Sequence, residues 1–245
     1  MKTNNKTLKV EELSSYNTAF DHLPLRAQIL QMKVMSSELK SEIGLFGIAR
    51  FIRQVNVKQK QLKKQYGNII NKRFAGVPSS AIKEMYLMSA MYLVLTDREG
   101  KEKAFEFVKG IFRKLGPAGH EAYYDLKNLL KCPGDIYNNF CQLNRSMFES
   151  SARKGFYKLE GFNESENLQY FRFTKCLNID VLSTLGCPEL ARLGCIADIA
   201  GYAPEAMGNK VNLDFRRPCT MANGDKACEF YYYRKGYAPA DMPTF

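Results

Sequence analysis

Apolar residues recur at steps of three and four from Leu25 through Ile29, Met32, Met35, Leu39, Ile43 and Phe46, the spacing of one α-helix face. Pro24 precedes the run, in a first-turn position where its missing N–H costs nothing. A second helical stretch follows, with Leu62, Tyr66, Ile69, Ile70 and Phe74 on one side and Lys58, Lys60, Lys63 and Lys64 around the other. The Val77-Pro78-Ser79-Ser80 segment breaks that pattern and offers a serine cap for a buried helix through Leu95. A further helix is expected from about Lys101 to Lys114, stopping at Leu115-Gly116-Pro117. Residues 1–15 read as a polar tail and residues 16–131 as a basic helical layer.

The texture changes after Lys131-Cys132-Pro133-Gly134. A helix is expected from about Ile136 to Ala152, then an acidic loop from Glu160 to Glu166. The aromatic, alternating run Tyr170 to Cys176 reads as a strand. Near the end, Leu213 to Met221 and Lys226 to Arg234 flank Asn223-Gly224, a strong hairpin signal. With that dipeptide as the loop, Cys219 faces Cys228, close enough to bridge under oxidation, and Arg217 faces Phe230. Alternation then puts Arg217, Cys219, Cys228 and Phe230 on one face and Arg216, Thr220, Glu229 and Tyr231 on the other. The expected fold is α+β: a helical N-terminal layer, then a small antiparallel sheet with packed helices. No Ser/Gly-rich linker separates the halves, so residues 1–245 are expected to form one domain, with 132–235 carrying the motifs.

Charge changes the picture in one respect. The chain of 245 residues has 36 basic and 25 acidic residues, net +11, and residues 1–120 hold 21 of the basic and 10 of the acidic ones. The whole excess therefore sits in the helical half. Clustered lysines can neutralise nucleic-acid phosphates, but a lysine run on one helix is usually a solvated face, so nucleic acid is not the expected partner. The longest apolar run, Met85 to Leu95, reaches about half the ~20 residues that span a bilayer, so no membrane partner is expected. The start carries no apolar signal core, and seven Cys without regular spacing read as reduced thiols of a cytoplasmic protein. With two His and no C-x-x-C pair, neither a metal site nor a cofactor is expected.

The chemistry lies in the second half. Cys195 and Asp198 are three apart on a helix that opens near Pro188, so thiol and carboxylate share a face. A carboxylate can hold a cationic nitrogen or act as a base, and a thiol can attack an electrophilic carbon. The blander reading is a core cysteine beside a locally bonded aspartate. The order of elements says more: Cys176, Gly186-Cys187-Pro188-Glu189-Leu190, Cys195-Ile196-Ala197-Asp198, Arg217-Pro218-Cys219-Thr220, and Gly224-Asp225-Lys226-Ala227-Cys228-Glu229-Phe230. That string, over roughly residues 130–235, resembles the L-2-amino-thiazoline-4-carboxylate hydrolase family. Cys187, Cys219 and Glu229 (where aspartate is usual) depart from the family pattern.

The resemblance implies a hydrolase that opens a small heterocyclic substrate, a cyclic amidine carboxylate, to a carbamoyl-cysteine. It implies Asp198 against the amidinium or as base, Cys195 or Cys228 as nucleophile, and Arg217 on the substrate carboxylate. Thr220, Cys176 and Glu229 are the further substrate-binding residues. Docking the Pro188 helix on the hairpin would bring Asp198, Arg217 and a thiol into one pocket. A non-catalytic small-molecule-binding protein of the same fold is the alternative.

Overall fold

The computed structural model describes residues 8–18 and 25–244. Three helices come first: α1 (Leu25–Arg73), α2 (Ser79–Glu99) and α3 (Lys101–Tyr123). After the short α4 (Leu126–Leu129) and the longer α5 (Ile136–Arg153), a hairpin of β1 (Tyr157–Ser165) and β2 (Leu168–Cys176) forms. Then follow α6 (Leu177–Thr184), α7 (Ala191–Gly201), β3 (Leu213–Arg216) and β4 (Cys228–Arg234). The strands make one antiparallel sheet in the order β1-β2-β4-β3. The architecture is α+β. Among the described residues no helix is long and apolar enough to cross a membrane.

Alternation decides which sheet face is buried. Phe171 and Phe173 of β2, Phe230 and Tyr232 of β4 and Phe215 of β3 turn inward against Tyr137, Phe140 and Phe148 of α5. A second core joins α1, α2 and α3 to α6, α7 and the turn at Pro188–Leu190. Tyr157 packs against both cores. Glu189 ties the turn to the helical layer, accepting from Tyr92 Oη at 2.7 Å and pairing with Lys101 at 2.9 Å.

Several expectations are corrected. The two expected helical stretches before residue 74 are both present, joined as α1 at a break at Gly44 (φ 67°, ψ 167°), a backbone conformation open to glycine almost alone. Of its apolar stripe, Leu39 is buried but Leu25, Ile29 and Met32 are exposed, because periodicity marks a face that could pack without showing how far its neighbours reach. Pro24 and the side chain of Phe46 lie outside the described residues. The tail is not wholly polar in behaviour: Val10 and Leu13 are buried in the sheet-side core, and Ser146 and Ser150 of α5 bind Asn17. The acidic stretch Glu160 to Glu166 is mostly strand β1, at the sheet edge, where Glu160 pairs with Lys158 and Arg172.

Two corrections shape the site. α3 continues through Pro117 to Tyr123. Proline removes one helical N–H there, but the turn is held against α7: a Cβ on Gly116 would lie 2.5 Å from the Ala197 carbonyl oxygen. The β3–β4 connection is also longer than a two-residue hairpin. β3 pairs with β4 in the expected register, Leu213 with Arg234 through Arg216 with Tyr231, and then ends before Pro218, which cannot donate to a ladder. Glu229 N–H donates to the Cys219 carbonyl at 3.3 Å, a slip of one residue relative to the stem. Such a slip exchanges faces. Thr220 therefore turns inward, and Cys219, whose carbonyl takes the Glu229 N–H, lies near Glu229, Asp225 and Cys228, with both thiols free. Asn223-Gly224 still turns the chain, inside a loop closed by Thr220 N–H donating to Asp225 Oδ2 at 2.8 Å.

Candidate functional site

α7 carries Cys195 and Asp198 one turn apart, and the loop after β3 carries Arg217 and Thr220 to meet them. Arg217 is fully buried. Its Nη1 donates to Asp198 Oδ2 at 3.0 Å and its Nη2 to the Cys195 carbonyl at 2.6 Å. Phe230 and Phe215 lie 5.3 and 5.8 Å from its guanidinium carbon. Burial alone would lower the pKa of this guanidinium, but Cys195 and Asp198 outweigh it and the net shift is upward, so Arg217 stays charged. Arg217 has no exposed surface and does not line the cleft described below. Arg217 thus clamps α7 to the sheet.

The Thr220 hydroxyl sits between two sulfurs, 3.3 Å from Cys195 Sγ and 3.4 Å from Cys228 Sγ. Cys228 Sγ also accepts the Met221 N–H at 3.3 Å. Cys176, at the end of β2, is close enough to Cys228 and Cys195 for each to raise its pKa. All seven cysteines are free. Cys195, Asp198, Arg217, Thr220, Cys228 and Cys176 are therefore brought together, and Glu229 is not. Alternation places Glu229 on the sheet's other face, where it accepts from Tyr170 and Tyr231 hydroxyls and pairs with Arg172 at 3.5 Å.

One side of this cluster opens into a cleft of about 280 Å³ between α3, α7 and the loop 217–227. Cys195 and Thr220 line it, Ile196 and Ile199 give it an apolar wall, and Lys109 and Arg192 bring two cations. Cys228 does not line it. Burial pushes the Cys195 thiol above its ordinary value, against the pull of the Arg217 guanidinium, and the Cys176 thiol is pushed up to about 12 by burial. The thiolate is the reactive form, so both thiols are expected to react with iodoacetamide more slowly than free cysteine at pH 7. Modification should accelerate as pH rises, Cys195 well before Cys176; peptide mapping of timed alkylations measures this.

His120 completes the site from α3, and nothing in the sequence singled it out for that role. Its Nδ1 lies 3.0 Å from the Gly116 carbonyl, which can only accept, so Nδ1 carries a proton and Nε2 faces Asp198 Oδ1 at 3.4 Å. Tyr202 packs edge-on against the ring, its hydroxyl bound to Tyr124 at 2.6 Å. This approach requires Gly201, where a Cβ would lie 2.2 Å from the His120 ring. Gly201→Ala is expected to push the ring off Asp198 and to cost about 1–3 kcal/mol of stability, measured by urea unfolding. Lys109 and Arg192 were likewise not picked out, because only the α3–α7 contact makes them neighbours. Among the described residues no group of three or more His, Cys, Asp or Glu is arranged to hold a metal ion.

The order of these residues along the chain coincides with a known family. The family model for L-2-amino-thiazoline-4-carboxylic acid hydrolase matches residues 80–232, well over half of the chain. This protein belongs to that family. No curated protein and no solved structure matched the chain. The hydrolase-family match begins at α2, further toward the N-terminus than the motifs alone reach, and so takes in the α3 wall with Lys109 and His120. All of α1 precedes it.

Proposed function

We propose that this family member hydrolyses a small cyclic amidine bearing a carboxylate, such as L-2-amino-thiazoline-4-carboxylate, to a carbamoyl-cysteine. The observation that carries this reading is the placement of Cys195 on the wall of a small cleft that Lys109 and Arg192 also line, with Asp198 one helical turn further along α7. Lys109 and Arg192 take the substrate carboxylate, because they line the cleft and Arg217 is fully buried; Lys109 turns from its exposed partner Glu106 to do so. Asp198, held by Arg217 and one helical turn on from Cys195, supplies the negative charge toward which the amidinium orients, which makes its carbon more electrophilic.

Cys195 is the nucleophile, since it lines the cleft and Cys228 does not. Its sulfur bonds to the amidine carbon, one ring bond to that carbon breaks, and the departing heteroatom takes the thiol proton. Water then adds at the same carbon, the Cys195 sulfur leaves and regains a proton, and the carbamoyl group remains: one water is added overall. Thr220 relays hydrogen bonding from Cys228 to the Cys195 sulfur. Turnover should rise with pH above neutrality, as a thiol whose pKa lies above its ordinary value ionises.

Incubation of the protein with a panel of cyclic amidine carboxylates, followed by mass detection, tests the reading. A product heavier than its substrate by one water supports it. Saturable binding without conversion would instead favour a binding protein, a reading that the mutual satisfaction of Asp198 and Arg217 also accommodates.

A further inference from the structure

A second cleft lies away from the thiol cluster, between α1 and α2, with a volume of about 490 Å³. Its α1 wall is built from Arg50, Arg53, Gln54, Val57, Lys58 and Gln61, the i, i+3, i+4, i+7, i+8, i+11 spacing of a single helix face. The buried face of α1 carries Phe51, Val55 and Leu62, and this one runs beside it, largely exposed and cationic. The α2 wall adds Arg98 and one acid, Asp97, and that acid pairs with Lys58 at 3.0 Å. Arg50, Arg53 and Arg98 thus converge on one seam with Asp97 as its one acidic lining residue. Like charges three apart on a helix repel, and a seam holding several of them is a field that draws anions.

We propose that this seam binds one small polyphosphate anion, of the size and charge of a nucleoside di- or triphosphate, as a site separate from the thiol cleft. Guanidinium forks match phosphate oxygens two at a time, and three of them suit a chain of linked phosphates. The volume falls within the range of small-ligand pockets. A cleft between two helices fits a compact anion better than an extended duplex backbone, which contacts a broad surface. The site lies on residues largely outside the hydrolase-family match, so it is a property of this chain's own helical layer.

Isothermal titration with inorganic tripolyphosphate, at ~0.1 M ionic strength so that weak surface attraction is screened, is the test. One-to-one saturable binding is expected in the wild-type chain. The triple variant Arg50→Gln, Arg53→Gln, Arg98→Gln should bind at least tenfold more weakly. Neutralising two exposed lysines elsewhere, Lys72→Gln and Lys127→Gln, should leave the affinity within twofold. Because the three arginines repel one another, the triple variant should melt no lower than wild type, and tripolyphosphate should raise the melting temperature of the wild type alone. Equal affinity in the triple variant, or the absence of saturable binding, overturns the proposal. Displacement of tripolyphosphate by a random-sequence DNA duplex at lower concentration overturns it too, assigning these cations to a nucleic-acid surface.

Discussion

Replacing Cys195 with alanine is expected to lower turnover by on the order of a thousandfold or more while leaving the fold intact. The substitution removes one sulfur from a half-buried helix position that faces the cleft, so no large cavity opens in either core. The chemical loss is large because no second thiol occupies the same place: Cys228 lies behind Thr220 and does not line the cleft. Cys228→Ala should therefore cost much less, through the relay alone. Asp198→Asn should fall between the two, about a hundredfold, because the amide keeps the shape but loses the charge that faces an amidinium. Steady-state rates per folded molecule, with folding checked by circular dichroism, rank the three. Equal losses at Cys195 and Cys228 would place the nucleophile wrongly.

Arg217→Leu is expected to destabilise the protein by about 3–5 kcal/mol, the cost typical of breaking a buried ion pair from one side. The guanidinium is fully buried, bonds Asp198 and the Cys195 carbonyl, and lies over Phe230 and Phe215. Its loss leaves the Cys195 carbonyl without that donor and frees α7 from the sheet. Arg217→Lys should recover only part of the loss, since one ammonium cannot bridge both acceptors with the same geometry. Urea denaturation midpoints measure the effect. A clamp predicts that both variants lose stability first and that turnover per folded molecule is reduced because Asp198 and Cys195 drift. An Arg217 that instead binds substrate would give near-wild-type stability and a raised KM.

The parts of the site legible in the sequence are those set by local periodicity. Cys195 and Asp198 share a helix face because they are three apart, and the β3–β4 stem pairs in the register that alternation implies. What was not legible depends on contacts between distant elements. Thr220 turns inward because Pro218 ends the strand and Asp225 closes the loop, a one-residue slip that the Asn223-Gly224 signal does not carry. His120 and Lys109 reach the site because Gly116 and Gly201 let α3 and α7 approach closely, and a lone glycine in a helix does not say what it faces. Pro117 pointed the other way: its local tendency to end a helix is overridden by that same packing. The helical layer was legible in its elements and not in its seam, since the exposed cations of α1 do not show that Arg98 of α2 lies beside them.

The most direct test of the central claim is acid quenching of the protein during its first turnovers with L-2-amino-thiazoline-4-carboxylate, followed by intact-mass and peptide mass spectrometry. A thiol that bonds to the amidine carbon retains every atom of the opened ring, so a fraction of the protein should be heavier by one whole substrate. The added mass should map to Cys195 in the peptide spanning α7. Product accumulating while Cys195 stays unmodified, or the added mass appearing on Cys228, would contradict the account.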